Sequence, residues 1–471
     1  MGLGRGYSLS VLDRPTSRYR RKIAPFVPPA HPGDGAGIPA LAAYAQRKAA
    51  SLNSHVLGHG PLAEHEWAAL GLAEPDLGRL RRYRLGRVRN ELARRGVDGI
   101  VVYDPINVRY ATDSTNMQVW TMHNAVRYAF VATDGPVIVF DFHNCEHLSA
   151  HLESVDEIRP GTSWCYFDAG QRSRERSSVW AAELVDLLRT HGRGDLRLAV
   201  DRVNPDGLDA LRHLGVDVQG GEEVMEQARS VKGVDELLAM RRSIAACEAA
   251  MGVMQASLRP GMTENDLWAI LHAENVRRGG EWIETRLLSS GPRTNPWFQE
   301  CSSRVIEDGD LVAFDTDLVG PYGYCCDVSR TWLAGDRAPT AEQRRLHAIA
   351  EEQLVANTEL LWPGRTFREL SERGATLPVD YLPNRYSVLL HGTGLCDEYP
   401  AVPYPQDFAR SGYDGELVDG MVVSVESYVG RVGGREGVKL EDQVLITAAG
   451  AQRLSTFPFD RRLSGQALYP V

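Results

Sequence analysis

Between residues 311 and 333 three aspartates and Arg330 interrupt a stretch that is otherwise largely apolar or small. Leu311-Val312-Ala313-Phe314 leads into Asp315 and Asp317, and Trp332-Leu333 closes the segment that carries Asp327. On an extended strand residues two apart face the same way, so Asp315 and Asp317 are expected on one face. Gly320 and Gly323 suit a hairpin that returns Asp327 opposite that pair. A sheet face open to water would tolerate three carboxylates, but the flanking residues argue for burial. Converging carboxylates in an apolar setting repel strongly unless cations offset the cost. The stretch therefore predicts short strands that build a cation site.

Two further motifs extend the site. Leu389-Leu390-His391-Gly392-Thr393-Gly394 places an imidazole between an apolar run and a glycine that allows close backbone approach. Glu426 follows Val422-Val423-Ser424-Val425, and Glu441 follows Val438-Lys439-Leu440. Each is weak alone; together they give Asp315, Asp317, Asp327, His391, Glu426 and Glu441. An oxygen-rich set with one imidazole favours hard divalent ions such as manganese, iron or cobalt over a thiolate zinc site. Carboxylates that bridge two metals hold them about 3.5–4 Å apart, with a substrate anion or water between.

Composition narrows the class. A net charge of -10 disfavours nonspecific nucleic-acid binding. The local basic run Arg18, Arg20, Arg21 and Lys22 reads as a solvated arm. No run has the length of a signal peptide's apolar core or a membrane span, so no membrane association is expected. The seven cysteines form no CxxC pair, which indicates neither a disulfide framework nor a thiolate metal site. Cys325 and Cys326 read as small hydrophobes on opposite faces of a strand, and a cytoplasmic location is expected.

The chain divides by pattern into three parts. Residues 1–75 form a Pro/Gly-rich extension. Residues 76–228 alternate helical patterns (80–95, 180–193, 205–213) with strand patterns (100–103, 126–132, 136–140, 196–201), which predicts a small α/β domain. Residues 229–471 open with a long helix from about 233, and Thr263 with Asp266 marks the capped start of a second helix.

The ordered Asp…Asp…His…Glu…Glu series resembles the M24 family of pita-bread enzymes, which includes methionine aminopeptidase, Xaa-Pro aminopeptidase, prolidase and the metal-free creatinases. The resemblance covers roughly residues 80–460. It implies a creatinase-like α/β N-terminal domain followed by an α+β pita-bread catalytic domain. Two features depart from the peptidases. Asp317 and Asp327 are ten apart rather than eleven, with Asp315 as an extra acid, and Cys396-Asp397-Glu398-Tyr399-Pro400 offers no second histidine after the His391 motif. Both are similar to the DddP dimethylsulfoniopropionate lyases, a branch of M24. That resemblance implies two metals on the six ligands, iron first, with manganese, cobalt, nickel and zinc as alternatives. It implies Asp397 as the base and Tyr386 as a substrate contact. Pita-bread dimers bring an N-terminal loop near the neighbouring site, which makes Trp120 and His123 candidates here and a homodimer the expected assembly.

The expected substrate is a small zwitterion, cleaved to acrylate and dimethyl sulfide. Removing a proton beside a carboxylate adds charge to an anion, which metal cations would offset. The sulfonium needs an aromatic or acidic wall, and Tyr386 and Tyr399 are local candidates for cation–π contact. Alternatives are an Xaa-Pro aminopeptidase or prolidase, a metal-dependent lyase or hydrolase acting on another small cationic carboxylate, and a non-catalytic binding module on the same fold.

Overall fold

The computed structural model describes residues 59–464; residues 1–58 of the predicted 1–75 extension, with its basic run, lie outside them. The chain forms two compact units, divided at Glu91/Leu92 and Gly221/Glu222, where the sequence pattern places the boundaries at 75/76 and 228/229. No helix of the described residues is long and apolar enough to cross a membrane.

The first unit is built on a mixed six-stranded sheet of β1 (Gly99–Val102), β2 (Tyr128–Ala132), β3 (Val137–Asp141), β4 (Glu157–Pro160), β5 (Arg197–Val200) and β6 (Asp217–Gly220), in the order β4-β3-β2-β1-β5-β6. The fully buried runs of β1, β2 and β3 account for their continuous apolar sequence. The helix Ser173–His191 buries Trp180, Leu184 and Leu188 in the core shared with Val101, Phe130 and Leu198.

Among the described residues the second unit begins with the helix Pro61–Ala69, within the 1–75 stretch read as a Pro/Gly-rich extension. Pro61 occupies the first turn, where its missing N–H costs nothing. Trp67 of that helix is buried; its indole N–H donates to the Arg242 carbonyl at 2.9 Å, and the Arg242 guanidinium lies 4.8 Å over the ring. Arg242 belongs to the long helix Val234–Ser257, followed by Glu264–Arg277, whose Thr263–Asp266 capping box forms as predicted.

The strands of this unit all pair antiparallel. β7 (Trp282–Ile283), β10 (Leu318–Val319) and β11 (Cys325–Cys326) form one small sheet; β8 (Leu288–Ser290), β9 (Leu311–Asp315) and β12 (Ser329–Leu333) form a second. The third has the order β14-β13-β15-β16-β17, with β13 Leu390–Thr393, β14 Asp397–Val402, β15 Val422–Gly430, β16 Gly437–Thr447 and β17 Gly450–Arg453. The helix Ala341–Glu359 covers this sheet, burying Leu346, Ala350 and Leu354 with Val423, Val425 and Leu440. The predicted hairpin forms: β10 pairs with β11 across the turn that contains Gly320 and Gly323. All seven cysteines are free thiols.

Candidate metal centre

β9 is apolar until its last residue, Asp315, which pairs with Ser329 at the start of β12. Asp327 lies in the two-residue gap between β11 and β12. β13 supplies His391, and β15 and β16 supply Glu426 and Glu441, which are direct partners in their ladder. Every one of the five carboxylate residues is between 0% and 7% exposed, so water does not screen them. His391 Nε2 lies 3.3 Å from both Asp327 Oδ2 and Glu426 Oε1, and 3.8 Å from Glu441 Oε1.

These residues overlap in three metal-capable groups, each with its ligand atoms within 4.8 Å of one another: Asp327, His391 and Asp397; His391, Glu426 and Glu441; Asp315, Asp327 and Glu441. Asp315 Oδ1, Asp327 Oδ1 and Glu441 Oε1 are buried without a hydrogen-bond partner among the described residues. Buried carboxylate oxygens left unpaired are costly. The residues therefore fit divalent cations: orphaned hard oxygens around one imidazole.

The electrostatics reflect this crowding. Burial first, then repulsion from Glu441 and Asp315, holds the Asp327 carboxyl well above the usual range. Burial, then Asp315 and Glu426, does the same to Glu441. At Asp315 burial is opposed by Lys439, which prevails and brings the carboxyl down to about 2.

Lys439 was not among the predicted site residues. Its ammonium, fully buried, lies 2.9 Å from Asp315 Oδ2, 2.7 Å from Glu426 Oε2 and 2.8 Å from Glu441 Oε2, and donates to Ser329 Oγ at 2.6 Å. A signal was present: lysine two before Glu441 in an apolar strand shares its face.

Two expectations need correction. Asp315 and Asp317 do not share a strand face: β9 ends at Asp315, and Asp317 takes a left-handed φ of 35°. Asp317 accepts a hydrogen bond from the Thr285 hydroxyl and stands outside the three groups. Burial, then the charges of Asp315 and Asp397, nevertheless hold its carboxyl well above the usual range. Tyr399 does not offer a free ring: it stacks on Tyr413 at 5.7 Å and meets Phe367 edge-on. Tyr386 does come to the site, its ring 4.6 Å from the Lys439 ammonium. Trp120 and His123 sit on the short helix Gln118–His123 of the other unit, exposed, with Trp120 packed edge-on against Phe142 and Phe167.

Asp397 opens β14. Its side chain is 49% exposed, and its Oδ1 lies 3.8 Å from His391 Nδ1. Desolvation, then Asp315 and Glu426, raises its carboxyl above the ordinary range, with His391 opposing.

The profile of metallopeptidase family M24 matches residues 238–448, and that of the creatinase/prolidase N-terminal domain matches residues 84–231. The chain is 46% identical to dimethylsulfoniopropionate lyase DddP of Roseovarius nubinhibens over 87% of its own length and 93% of that protein. It is 46% identical to the DddP lyase of Roseobacter denitrificans over 88% of its length and 94% of that protein. Among solved structures, an Xaa-Pro dipeptidase from Bacillus anthracis superposes with a TM-score of 0.63 at 22% identity, covering 80% of this chain and 98% of that one. The expected fold is borne out: a creatinase-like N-terminal domain followed by a pita-bread catalytic domain.

Proposed function

The chain belongs to metallopeptidase family M24, in its dimethylsulfoniopropionate lyase branch, and we propose on that footing that it cleaves dimethylsulfoniopropionate to acrylate and dimethyl sulfide. The observation that carries the reading is Asp397. A carboxyl group stands beside His391, and His391 is the one histidine in the metal-capable groups of the described residues. A peptidase of this family would place a second histidine there.

In this reading Asp315, Asp317, Asp327, His391, Glu426 and Glu441 hold two divalent ions, iron first. When bound, the ions supply Lewis-acid stabilisation to the substrate carboxylate as charge develops on it. Asp397 takes the proton from the carbon beside that carboxylate; a raised carboxyl pKa suits a general base, a role that contributes roughly 10²–10⁴-fold. The electrons of the C–H bond form the new double bond, the C–S bond breaks, and its pair leaves on dimethyl sulfide, which needs no acid. Tyr386, beside the cluster, faces the substrate. Lys439 holds Asp315, Glu426 and Glu441 together and lowers the net charge of their wall. The free thiols support a cytoplasmic setting, and membership of the creatinase-type M24 enzymes supports a homodimer, with Trp120 and His123 as further substrate contacts. Headspace detection of dimethyl sulfide from metal-loaded protein given dimethylsulfoniopropionate tests the reading; hydrolysis of an Xaa-Pro dipeptide without dimethyl sulfide release would replace it with the peptidase reading.

A further inference from the structure

We propose that Glu398, clamped from below by Arg229 and Lys232, is the positioning residue that aims Asp397 into the site. The inference rests on the reading of Asp397 as the base. Two acids are adjacent at the start of β14, and adjacent strand residues point to opposite faces. Asp397 is half open, whereas the Glu398 side chain is wholly buried. Arg229 Nε donates to Glu398 Oε2 at 3.0 Å, and the Lys232 ammonium bonds the other oxygen, Oε1. Lys232 also donates to the Arg229 carbonyl at 2.7 Å, which closes the clamp. Glu226 completes it: one oxygen accepts from Arg229, and the other accepts from the Tyr399 backbone N–H at 2.7 Å.

The glycines of the His391 motif are cut to this arrangement. A Cβ on Gly394 would lie 2.6 Å from Glu398 Oε1, and one on Gly392 would lie 2.3 Å from the Tyr399 carbonyl oxygen. Gly392 and Thr393 pair with Glu398 and Asp397, after a register shift that falls between His391 and Gly392. The β13–β14 ladder is thus irregular where it must hold both the imidazole and the base. The buried carboxylate ties that position to the segment 226–232. A buried ion cluster is a costly way to gain stability, since apolar side chains of similar volume do as well or better. Its use is geometric: an error of about 1 Å at a reacting group costs on the order of 10²-fold.

The test is a double-mutant cycle on lyase turnover with metal content measured throughout. Glu398→Gln keeps the shape and loses the charge that both cations grip. Its kcat is expected to fall roughly 10–100-fold, with KM and bound metal unchanged. In an Asp397→Asn background the same change is expected to cost less than about 2-fold, because a mispositioned base and an absent one are equivalent. Arg229→Lys, which keeps the charge but not the Nε contact, is expected to lose kcat to a smaller degree at unchanged KM, and carries the test should Glu398→Gln fail to fold. Full kcat in the folded variant, or equal losses with and without Asp397, overturns the proposal. Asp397→Asn retaining more than about a tenth of turnover overturns instead the reading on which it rests.

Discussion

Glu426 and Glu441 stand directly opposite each other in the β15–β16 ladder, with the Lys439 ammonium 2.7 Å from one and 2.8 Å from the other. Like charges directly opposed destabilise a sheet, and here neither is screened by water. Lys439 gives the cluster one fixed positive charge. Lys439→Met is therefore expected to destabilise the metal-free protein by roughly 3–5 kcal/mol, the cost of breaking a buried ion pair on one side. Metal is expected to restore part of that loss. Thermal melts with and without metal check this; a metal-free variant melting with the wild type contradicts it.

Metal uptake is expected to release protons. Asp327 and Glu441 hold carboxyl pKa values well above the usual range without metal, so each keeps a proton to a higher pH than a free carboxylate. A ligand must be deprotonated to bind. Apparent affinity therefore rises with pH until both acids have ionised, and falls as pH drops through their raised values. Calorimetric titrations in buffers of different ionisation enthalpy across a range of pH measure the release; an uptake of metal that releases no protons at any pH above the ordinary carboxylate range would contradict the raised carboxyls.

Asp327→Ala and Asp397→Asn are expected to separate ligand from base. The first is expected to lose metal and activity together, because Asp327 shares two of the metal-capable groups. The second is expected to keep its metal and lose roughly 10²-fold or more in turnover. Elemental analysis beside kinetics distinguishes them. Loss of metal in Asp397→Asn would place Asp397 among the ligands, since it too falls within reach of His391 and Asp327.

Much of this was legible in the sequence, and the parts that were not have physical reasons. Asp315, Glu426 and Glu441 each follow an apolar run in the sequence, and the structure sets all three on buried strands. Thr263 and Asp266 announced a helix start through capping chemistry that is wholly local. Asp317 misled because a strand period of two ran past the end of β9, where a left-handed residue breaks the strand. The helix Pro61–Ala69 lay inside the Pro/Gly-rich extension, and what holds it is the packing of Trp67 against Arg242, which is not local. Tyr399 sits beside Asp397 in sequence, but its ring is claimed by Phe367 and Tyr413, partners from other segments. Lys439 was overlooked because lysine seldom enters a core, and only the assembled carboxylates explain it.

In solution the protein is expected to be a homodimer. Light scattering at micromolar concentration that gives only the 52.1 kDa monomer would contradict this.

The central claim is the reaction. Purified protein reconstituted with iron, and shown by elemental analysis to hold about two ions per chain, is incubated with dimethylsulfoniopropionate, and the headspace is sampled by gas chromatography. The account predicts dimethyl sulfide in proportion to enzyme, with equimolar acrylate in solution, abolished by chelation and by Asp397→Asn. No dimethyl sulfide above the uncatalysed background from fully loaded, folded protein would contradict it.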